Sequence, residues 1–260
     1  MKNRRYETLL NIIYPIGFLV LVVLIWYLVV RIFQIPVYIL PNPFDIPANL
    51  IHNFQNLMRH TSVTLYETFM GLLLSIVFGV LISNMIVMSK TLDKTLTPFI
   101  ILSQSFPKTA IAPLMVIWFG YGVLPKIVMS FLIGFFPITM NMIMGLRSPS
   151  PEMMDLIKSM SATRKHIFLK VRIPSSIPYF FNGIKISIPM CLVGAVVGEF
   201  VGANVGLGYL ILMANNNFNT VLVFSCLIVL MVVGAVLYFA AQFLEKKAAP
   251  WYNKNIDANQ

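Results

Sequence analysis

A segment between positions 150 and 178 combines charged, small and apolar residues at regular spacing, in a chain whose other regions are mostly apolar. It contains the acidic Asp155, then the apolar pair Leu156 and Ile157, and then the small Ser161. An apolar stripe on a short, otherwise polar helix is suited to binding in a groove of a partner rather than to bond-making chemistry. This segment is therefore the first candidate for a functional surface.

Charged residues inside apolar stretches form a second group of candidates. Lys108 lies between Pro107 and Pro113, which indicate irregular backbone, and Glu199 lies near the end of another apolar stretch. A charge within hydrocarbon is costly unless it meets a partner or water. Lys108 and Glu199 are therefore candidates for a translocation path or gate. For Glu199 the alternative is a structural pair or an interfacial position, and for Lys108 it is a side chain that extends to the membrane surface. Glu67 raises the same question, and the sequence does not indicate which charges pair.

Three glycines, Gly194, Gly198 and Gly202, recur at every fourth residue and so share one face of a helix. Such a series permits close approach of another helix. Packing within one subunit is one interpretation. The other places Gly198 and Gly202 in the translocation path, in a gate or at a dimer interface.

Patterns typical of catalysis or metal binding are missing from the sequence. It contains no Ser/His/Asp set, no paired histidine ligands and no acidic cluster, so we expect neither an enzyme nor a metal site. The phosphate-binding pattern G-x-x-x-x-G-K-S/T is also missing, so we expect no cofactor in this chain, and any ATP hydrolysis must belong to another polypeptide. Cys191 and Cys226 fall in apolar stretches and are expected to be core residues.

The elements that carry these residues are predicted to be membrane-spanning helices. Hydrophobic residues make up 58% of the 260 residues, charged residues only 11%, and the mean hydropathy is +0.82. Long apolar runs, each near the ~20 residues that cross a bilayer, alternate with short polar segments. We predict an all-α, polytopic membrane protein with about six spans, at residues 12–30, 63–88, 96–119, 126–146, 186–201 and 221–243.

The distribution of positive charge predicts the orientation. The net charge is +10, and with the N-terminus in the cytoplasm 15 of the 19 Lys and Arg residues fall on the cytoplasmic side. This asymmetry follows the positive-inside rule, places both termini in the cytoplasm and explains the basic balance without nucleic-acid binding.

The loop at residues 147–185 is the only long cytoplasmic one in this topology. Ser150 as N-cap and Pro151 at the first helical position predict the start of a helix. We expect two short amphipathic helices here, separated by a turn at 161–163 and ended by Pro174 and Pro178. Their apolar stripes either pack on this protein's own helices or bind a partner, and periodicity does not separate the two alternatives. The stripes are Leu156, Ile157 and Met160, and then Ile167, Phe168 and Val171.

Two outer segments are predicted to contain short helices. Residues 47–60 place apolar side chains at helical spacing, which indicates a helix lying on the membrane surface, with His52 and His60 as interfacial polar residues. Residues 207–213 form an apolar run that is too short to cross, which indicates a re-entrant or surface helix.

The spacing from Asp155 onward resembles the EAA motif of the membrane subunits of bacterial binding-protein-dependent ABC importers. That motif reads Glu-Ala-Ala, three residues, Gly, nine residues, then Ile-x-Leu-Pro. Here Asp155, Leu156 and Ile157 stand at the Glu-Ala-Ala positions and Ser161 at the glycine, and the segment ends in Val-Arg-Ile-Pro at Pro174. The departures are Ser161 in place of glycine and a bulky Leu-Ile pair in place of two alanines.

Other segments resemble the nitrate, sulfonate and taurine branch of these permeases. They are ILPNPFDI in the first outer connection, FPKTAIAPLMVIWFG from Phe106 and GEFVGANVGLGYL from Gly198. Together the similarity covers nearly the whole chain in the expected order.

This resemblance implies a homodimeric permease with a path at or near the subunit interface, two cytoplasmic ATPase subunits and an external solute-binding protein. It implies an N-terminal helix and external connection at 1–60, a permease domain at 61–245 with its coupling loop at 147–185, and a cytoplasmic tail at 246–260. The residues that it assigns to ATPase coupling are Asp155, Leu156, Ile157, Met160, Ser161, Ala162, Phe168 and Pro174.

The resemblance leaves the transported solute open among sulfonates, nitrate and pyrimidine-type vitamin precursors. The alternative function is a secondary transporter or channel that needs no ATPase. Such proteins usually contain an internal repeat, and the two halves of this sequence show no convincing similarity.

Overall fold

The computed structural model describes residues 2–250, with side chains from residue 13 onward, and this part of the chain is helical without strands. A short 3-10 helix, Lys108–Ile111, precedes α5, and a π-helical turn, Phe168–Arg172, joins α8 to α9. The α-helices are α1 (Lys2–Ile32), α2 (Asp45–His52), α3 (Phe54–Met88), α4 (Lys90–Gln104), α5 (Ala112–Phe119), α6 (Leu124–Leu146), α7 (Pro151–Ser159), α8 (Arg164–Ile167), α9 (Ile173–Gly202), α10 (Leu207–Asn216) and α11 (Thr220–Ala248).

Five helical elements are long and apolar enough to cross a membrane, and a bent pair of shorter ones makes a sixth candidate span. The bent pair consists of Lys90–Gln104 and Lys108–Phe119, which meet at an angle of 86°. The prediction of an all-α fold with about six spans is therefore confirmed. The five continuous elements are Ile13–Ile32, Phe54–Met88, Leu124–Leu146, Arg164–Gly202 and Thr220–Ala248.

The larger of two compact units comprises His60–Tyr209 and the chain from Leu230 onward, and α6 and α9 form an extensive helix pair within it. Glycines let the two backbones approach closely. A Cβ added at Gly194 would lie only 2.7 Å from the Cα of Ser130. Beside this crossing the buried core consists of Leu72, Ile138, Ile184, Ile188, Cys191 and Ala241.

The smaller unit comprises the chain up to Arg59 together with Leu210–Val229. Ring contacts and hydrogen bonds join α1 and the connection that follows it to the start of α11. The rings of Trp26 and Phe224 are 5.1 Å apart, and the Thr220 hydroxyl donates to the Tyr38 carbonyl at 2.7 Å.

The end of the 147–185 loop differs from its prediction. Pro174 and Pro178 do not end a helix, because residues Arg164–Gly202 run as one 39-residue helical element. The π-helical turn ends two residues before Pro174, and its altered hydrogen-bond spacing accommodates the missing N–H of that proline. The fifth span therefore begins well before residue 186.

Three other segments can be compared with their predictions. The surface helix expected at 47–60 is divided, because α2 ends at His52 and α3 begins at Phe54 and continues into the span. The short helix expected at 207–213 is confirmed as α10. Of the tail expected at 246–260, the first residues belong to α11, and residues 251–260 lie outside the described part of the chain.

The crossing of α6 and α9 predicts different responses to two Gly→Ala changes. Gly194→Ala should lower the free energy of unfolding by about 1–3 kcal/mol, because the new methyl group meets backbone that cannot yield. Gly234→Ala is the matched control, since its Cβ would lie 3.6 Å from the Leu192 side chain and the change favours the helix. Thermal unfolding in detergent measures both, and equal midpoints for the two variants would contradict this account of the crossing.

Candidate functional site

Helix α7 begins with the cap that its sequence predicts. Ser150 has an extended backbone, with φ −66° and ψ 153°, and its hydroxyl accepts a hydrogen bond from the Met153 N–H at 3.3 Å. Pro151 occupies the first turn, where its missing N–H leaves no hydrogen bond unmade. Hydrogen bonds from its own backbone N–H and from the Ser150 hydroxyl hold the pKa of the Glu152 carboxyl below its usual range.

The apolar stripe of α7 is largely uncovered. Leu156 is 63% exposed and Met160 is 74% exposed, whereas Ile157 is half-buried. Asp155 pairs with Lys158 at 2.9 Å, but both side chains are solvated and such a pair contributes little stability. The helix thus presents apolar side chains that the described part of the chain leaves exposed.

The turn that ends α7 explains the small residue at the motif's glycine position. Ser161 has φ +60°, in the left-handed region that favours glycine. Its N–H donates to the Lys158 carbonyl at 2.9 Å, and the Ala162 N–H donates to the Ile157 carbonyl at 3.4 Å. These two bonds make a Schellman motif, which requires a left-handed residue directly after the helix. The backbone, rather than a lack of space, therefore selects a small residue at position 161.

The second stripe of the loop is covered, unlike the first. Ile167 and Val171 are buried and Phe168 is half-buried, so this stripe packs against the protein itself. Pro174 is half-buried within the continuous helix that follows. Each stripe therefore follows a different one of the two alternatives left open by periodicity. The stripe of α8 and its π-helical turn packs on the protein itself, and the stripe of α7 stays exposed.

An ion pair fixes the point where the loop leaves α6. The Arg147 guanidinium lies 2.6 Å from the Asp93 carboxylate, which also accepts a hydrogen bond from the Thr97 hydroxyl at 2.7 Å. Arg147 is the C-cap residue of α6, and Asp93 lies in the first turn of α4. The pair thus joins the end of α6 to the start of α4, beside the segment that leads to α7.

A buried network surrounds the N-terminus of α10. Three successive backbone N–H groups, of residues 206, 207 and 208, donate to the His60 ring Nδ1, the Thr64 hydroxyl and the Glu199 carboxylate. The first two bonds measure 3.0 Å and 2.8 Å, and the Thr64 hydroxyl donates in turn to Glu199 at 2.6 Å. The first N–H groups of a helix lack partners within it, and these side chains supply them. A carboxylate there also interacts favourably with the helix dipole.

Glu67 is a second buried acid, and it lies on the face of α3 that also carries His60 and Thr64. The Glu67 carboxylate is 3.4 Å from the Lys126 ammonium, and both side chains are almost fully buried. The Glu67 carboxyl also lies beside that of Glu199. The ion pair places opposite charges together where hydrocarbon would penalise either one alone.

The structure also places the four residues predicted for the path. A Cβ at Gly198 would lie 2.9 Å from the Lys126 Cα, and one at Gly202 would lie 2.9 Å from the Val116 side chain, so both glycines pack within the chain. Glu199 caps α10. Lys108 stands apart from these three, at the bend between α4 and α5.

Sequence reasoning missed most of the buried network, although one signal was present. His60, Thr64 and Glu67 follow one another at intervals of four and three residues, which places three polar side chains on one face of an apolar helix. His60 is buried rather than interfacial, whereas His52 is exposed. Lys126 and the Asp93–Arg147 pair carry no comparable local signal, since their partners are distant in sequence.

An all-helical chain with about six candidate spans is, in its general class, a multi-pass membrane protein. Residues 71–250 match the family described as binding-protein-dependent transport system inner membrane component. The chain belongs to this family, the permease subunits of ATP-driven importers, and it is therefore a multi-pass inner-membrane transporter subunit and not an enzyme.

Relatives resemble the chain over nearly its full length. It is 37% identical over 235 residues to a probable ABC transporter permease protein of Haemophilus influenzae, covering 90% of this chain and 96% of that protein. It is 34% identical over 241 residues to the formylaminopyrimidine transport permease protein ThiX of Halalkalibacterium halodurans, covering 92% and 96%. Its fold is similar to a chain of the inward-facing MetNI methionine ABC transporter, with a TM-score of 0.66 at 19% identity over 75% of this chain and 97% of that chain.

Two substitutions at Thr64 test the network at α10. Thr64→Val keeps the side-chain shape but leaves the Leu207 N–H and one Glu199 oxygen without their partner, which should cost about 1–3 kcal/mol for each group. Thr64→Ser retains the hydroxyl and should stay within about 1 kcal/mol of wild type, since it loses only one methyl group. Thermal unfolding of the purified proteins measures the difference, and Thr64→Val as stable as Thr64→Ser would show that the network does not hold α10.

Proposed function

We propose that helix α7 is the surface through which this importer permease binds its separate ATPase subunit. One observation carries the proposal: Leu156 and Met160 are mostly exposed on a helix outside the spans, and the described chain offers them no cover. Exposed apolar side chains on an amphipathic helix favour binding in a groove of another protein. Helix α7 also carries the residues that stand at the Glu-Ala-Ala positions of the EAA motif, which supports the same assignment.

The other coupling residues take parts that follow from their positions. Ile157 is half-buried and supports the base of the stripe, while Asp155 pairs along α7 with Lys158. Ser161 and Ala162 form the turn that sets the angle at which α7 meets the ATPase. Phe168 and Pro174 lie in the following helical element, and we infer that they transmit the movement of α7 rather than contact the ATPase directly.

The connections of α7 support the transfer of movement to the spans. On one side only residues 147–150 separate it from α6, whose end is held by the Arg147–Asp93 pair. On the other side a short turn leads into the 39-residue element Arg164–Gly202. Closure of the ATPase pair would displace α7, and the two adjoining spans would tilt with it. Such coupling requires that the ATPase contacts differ between the two states of the permease.

We infer the rest of the assembly from the family and the charge distribution. The importer contains a second copy of this chain, two cytoplasmic ATPase subunits that bind and hydrolyse ATP, and an external solute-binding protein. The N- and C-termini face the cytoplasm, because the positive charges then gather on that side. No cofactor is needed by this chain, because the ATPase subunit supplies the phosphate-binding loop.

The four residues predicted for the translocation path do not share one role. The partners of Gly198, Gly202 and Glu199 lie within the chain and support a structural part, in which these residues hold the outer ends of the helices together. We infer that they act on a gate only indirectly, through the position of α10. The solute is a small nutrient, and a pyrimidine-type precursor, a sulfonate and nitrate are the classes that the similarity supports.

Two leucines in the loop test the docking surface. Leu156→Glu should weaken co-purification with the ATPase by about 30-fold, because a charge at the centre of an apolar contact removes about 2 kcal/mol or more. Leu169→Glu is the matched control, since Leu169 is also exposed in the same loop but lies outside α7. Pull-down in mild detergent and ATPase activity of the complex measure both. An unchanged complex with Leu156→Glu, or equal loss with both variants, would contradict the assignment to α7.

The left-handed backbone at position 161 gives a separate test of coupling. Ser161→Gly should preserve coupling and stabilise the turn by about 1 kcal/mol, because glycine adopts this conformation without steric cost. Ser161→Val should disrupt the turn, since a β-branched side chain is strongly disfavoured at positive φ. Solute-stimulated ATP hydrolysis of the reconstituted complex measures the result. Equal coupling in the two variants would mean that coupling does not depend on the left-handed backbone conformation at position 161.

A further inference from the structure

The bend between α4 and α5 places a polar segment inside a membrane span. Helix α4 ends at Gln104, the 3-10 helix begins at Lys108, and the two arms meet at 86°. The side chains of Gln104, Ser105 and Thr109 are exposed around the bend. A break of this kind occurs at membrane depth only where protein or water surrounds the backbone.

The charge at this bend lies near the middle of the membrane. The Lys108 ammonium is 4.5 Å from the centre of the Phe136 ring, and Phe136 is at the middle of the 23-residue helix α6. A helix of that length spans about 35 Å, close to the ~30 Å of the hydrocarbon core. Each interface is therefore about 15 Å away, which is more than a lysine side chain can reach.

Lys108 has no carboxylate partner among the residues whose side chains the structure describes. Its ammonium meets only the Phe136 ring and, at 3.5 Å, the Gln104 carbonyl. By contrast, the buried Lys126 is paired with Glu67. An ammonium has three donors, so most of its hydrogen-bonding capacity is unused. A charge in that state must face water rather than lipid.

We propose that the bend is a contact point for the solute and that the Lys108 ammonium binds an anionic group of that solute. This inference rests on the proposed function, because it requires a translocation path. An uncompensated positive charge at mid-depth is stabilised by an anion, repels a cation and gains less from a neutral acceptor. The amide and hydroxyl groups of Gln104, Ser105 and Thr109, which are exposed around the bend, add donors for anionic oxygens.

Charged thiol reagents test this proposal and do not require the solute itself. The full chain carrying Thr109→Cys is treated in membranes with anionic sulfonatoethyl methanethiosulfonate and with cationic trimethylammonioethyl methanethiosulfonate. The wild-type chain gives the background, because its two cysteines are buried. We expect labelling by both reagents, with the anionic one favoured relative to the rates of the two reagents with a small thiol in solution.

The same labelling is repeated with Lys108→Gln and Lys108→Arg added to Thr109→Cys. The ratio of anionic to cationic labelling rates should fall about sevenfold with Lys108→Gln, the change that a unit charge about 7 Å away produces in a medium of water's dielectric constant. Lys108→Arg should preserve the ratio, since the charge remains. Absence of labelling at Thr109→Cys, or an unchanged ratio with Lys108→Gln, would overturn the proposal.

Failure of this inference can be distinguished from failure of the proposed function. Lys108→Gln should leave co-purification with the ATPase unchanged, because Lys108 is remote from α7 in the chain and lies inside a span. If Lys108→Gln leaves the labelling ratio unchanged while the ATPase still co-purifies, only the anion contact is rejected. Absence of the ATPase from preparations of the wild-type chain would reject the proposed function.

Discussion

Hydrocarbon offers neither hydrogen-bond donors nor acceptors, so each polar group that this chain carries into the membrane must find its partner in protein or water. Helices satisfy the backbone, and the described residues form no strand. The start of α10 needs more, because its first N–H groups lie in packed protein. His60, Thr64 and Glu199 accept from three of them, so the positions of α3 and α9 determine where α10 begins. The polar side chains around the start of α10 thus serve mainly to build the structure.

The same constraint gives the charged side chains within the helices different roles. Glu67 and Lys126 neutralise each other in a buried site, and Lys185 pairs with Glu245 at 2.9 Å. Glu199 accepts hydrogen bonds from backbone and hydroxyl groups. Lys108, at the bend between α4 and α5, is left with a ring and a carbonyl. The paired charges join neighbouring helices, and we propose that the unpaired Lys108 binds the solute.

Outside the membrane the constraint reverses, because exposed apolar side chains are then the groups that need a partner. The loop resolves this in two ways: Ile167 and Val171 pack against the protein, whereas Leu156 and Met160 remain exposed. The Schellman turn at Ser161 separates the two parts and orients α7. We propose that these two stripes, on either side of one turn, bind a partner with one part and transmit its movement to a span with the other.

Composition and hydropathy by themselves predicted the all-α fold, about six spans and the start of α7, because each depends on local periodicity or on a cap formed by neighbours such as Ser150 and Pro151. The resemblance of the motif segments predicted the family. The continuity of Arg164–Gly202 through Pro174 was missed, since a π-helical turn is not encoded by apolar spacing. Tertiary structure alone decided which stripe is covered, which charges pair and which stays unpaired. Those outcomes depend on contacts between residues far apart in sequence, such as Thr64 with Glu199 or Lys108 with Phe136, and no local pattern specifies such contacts.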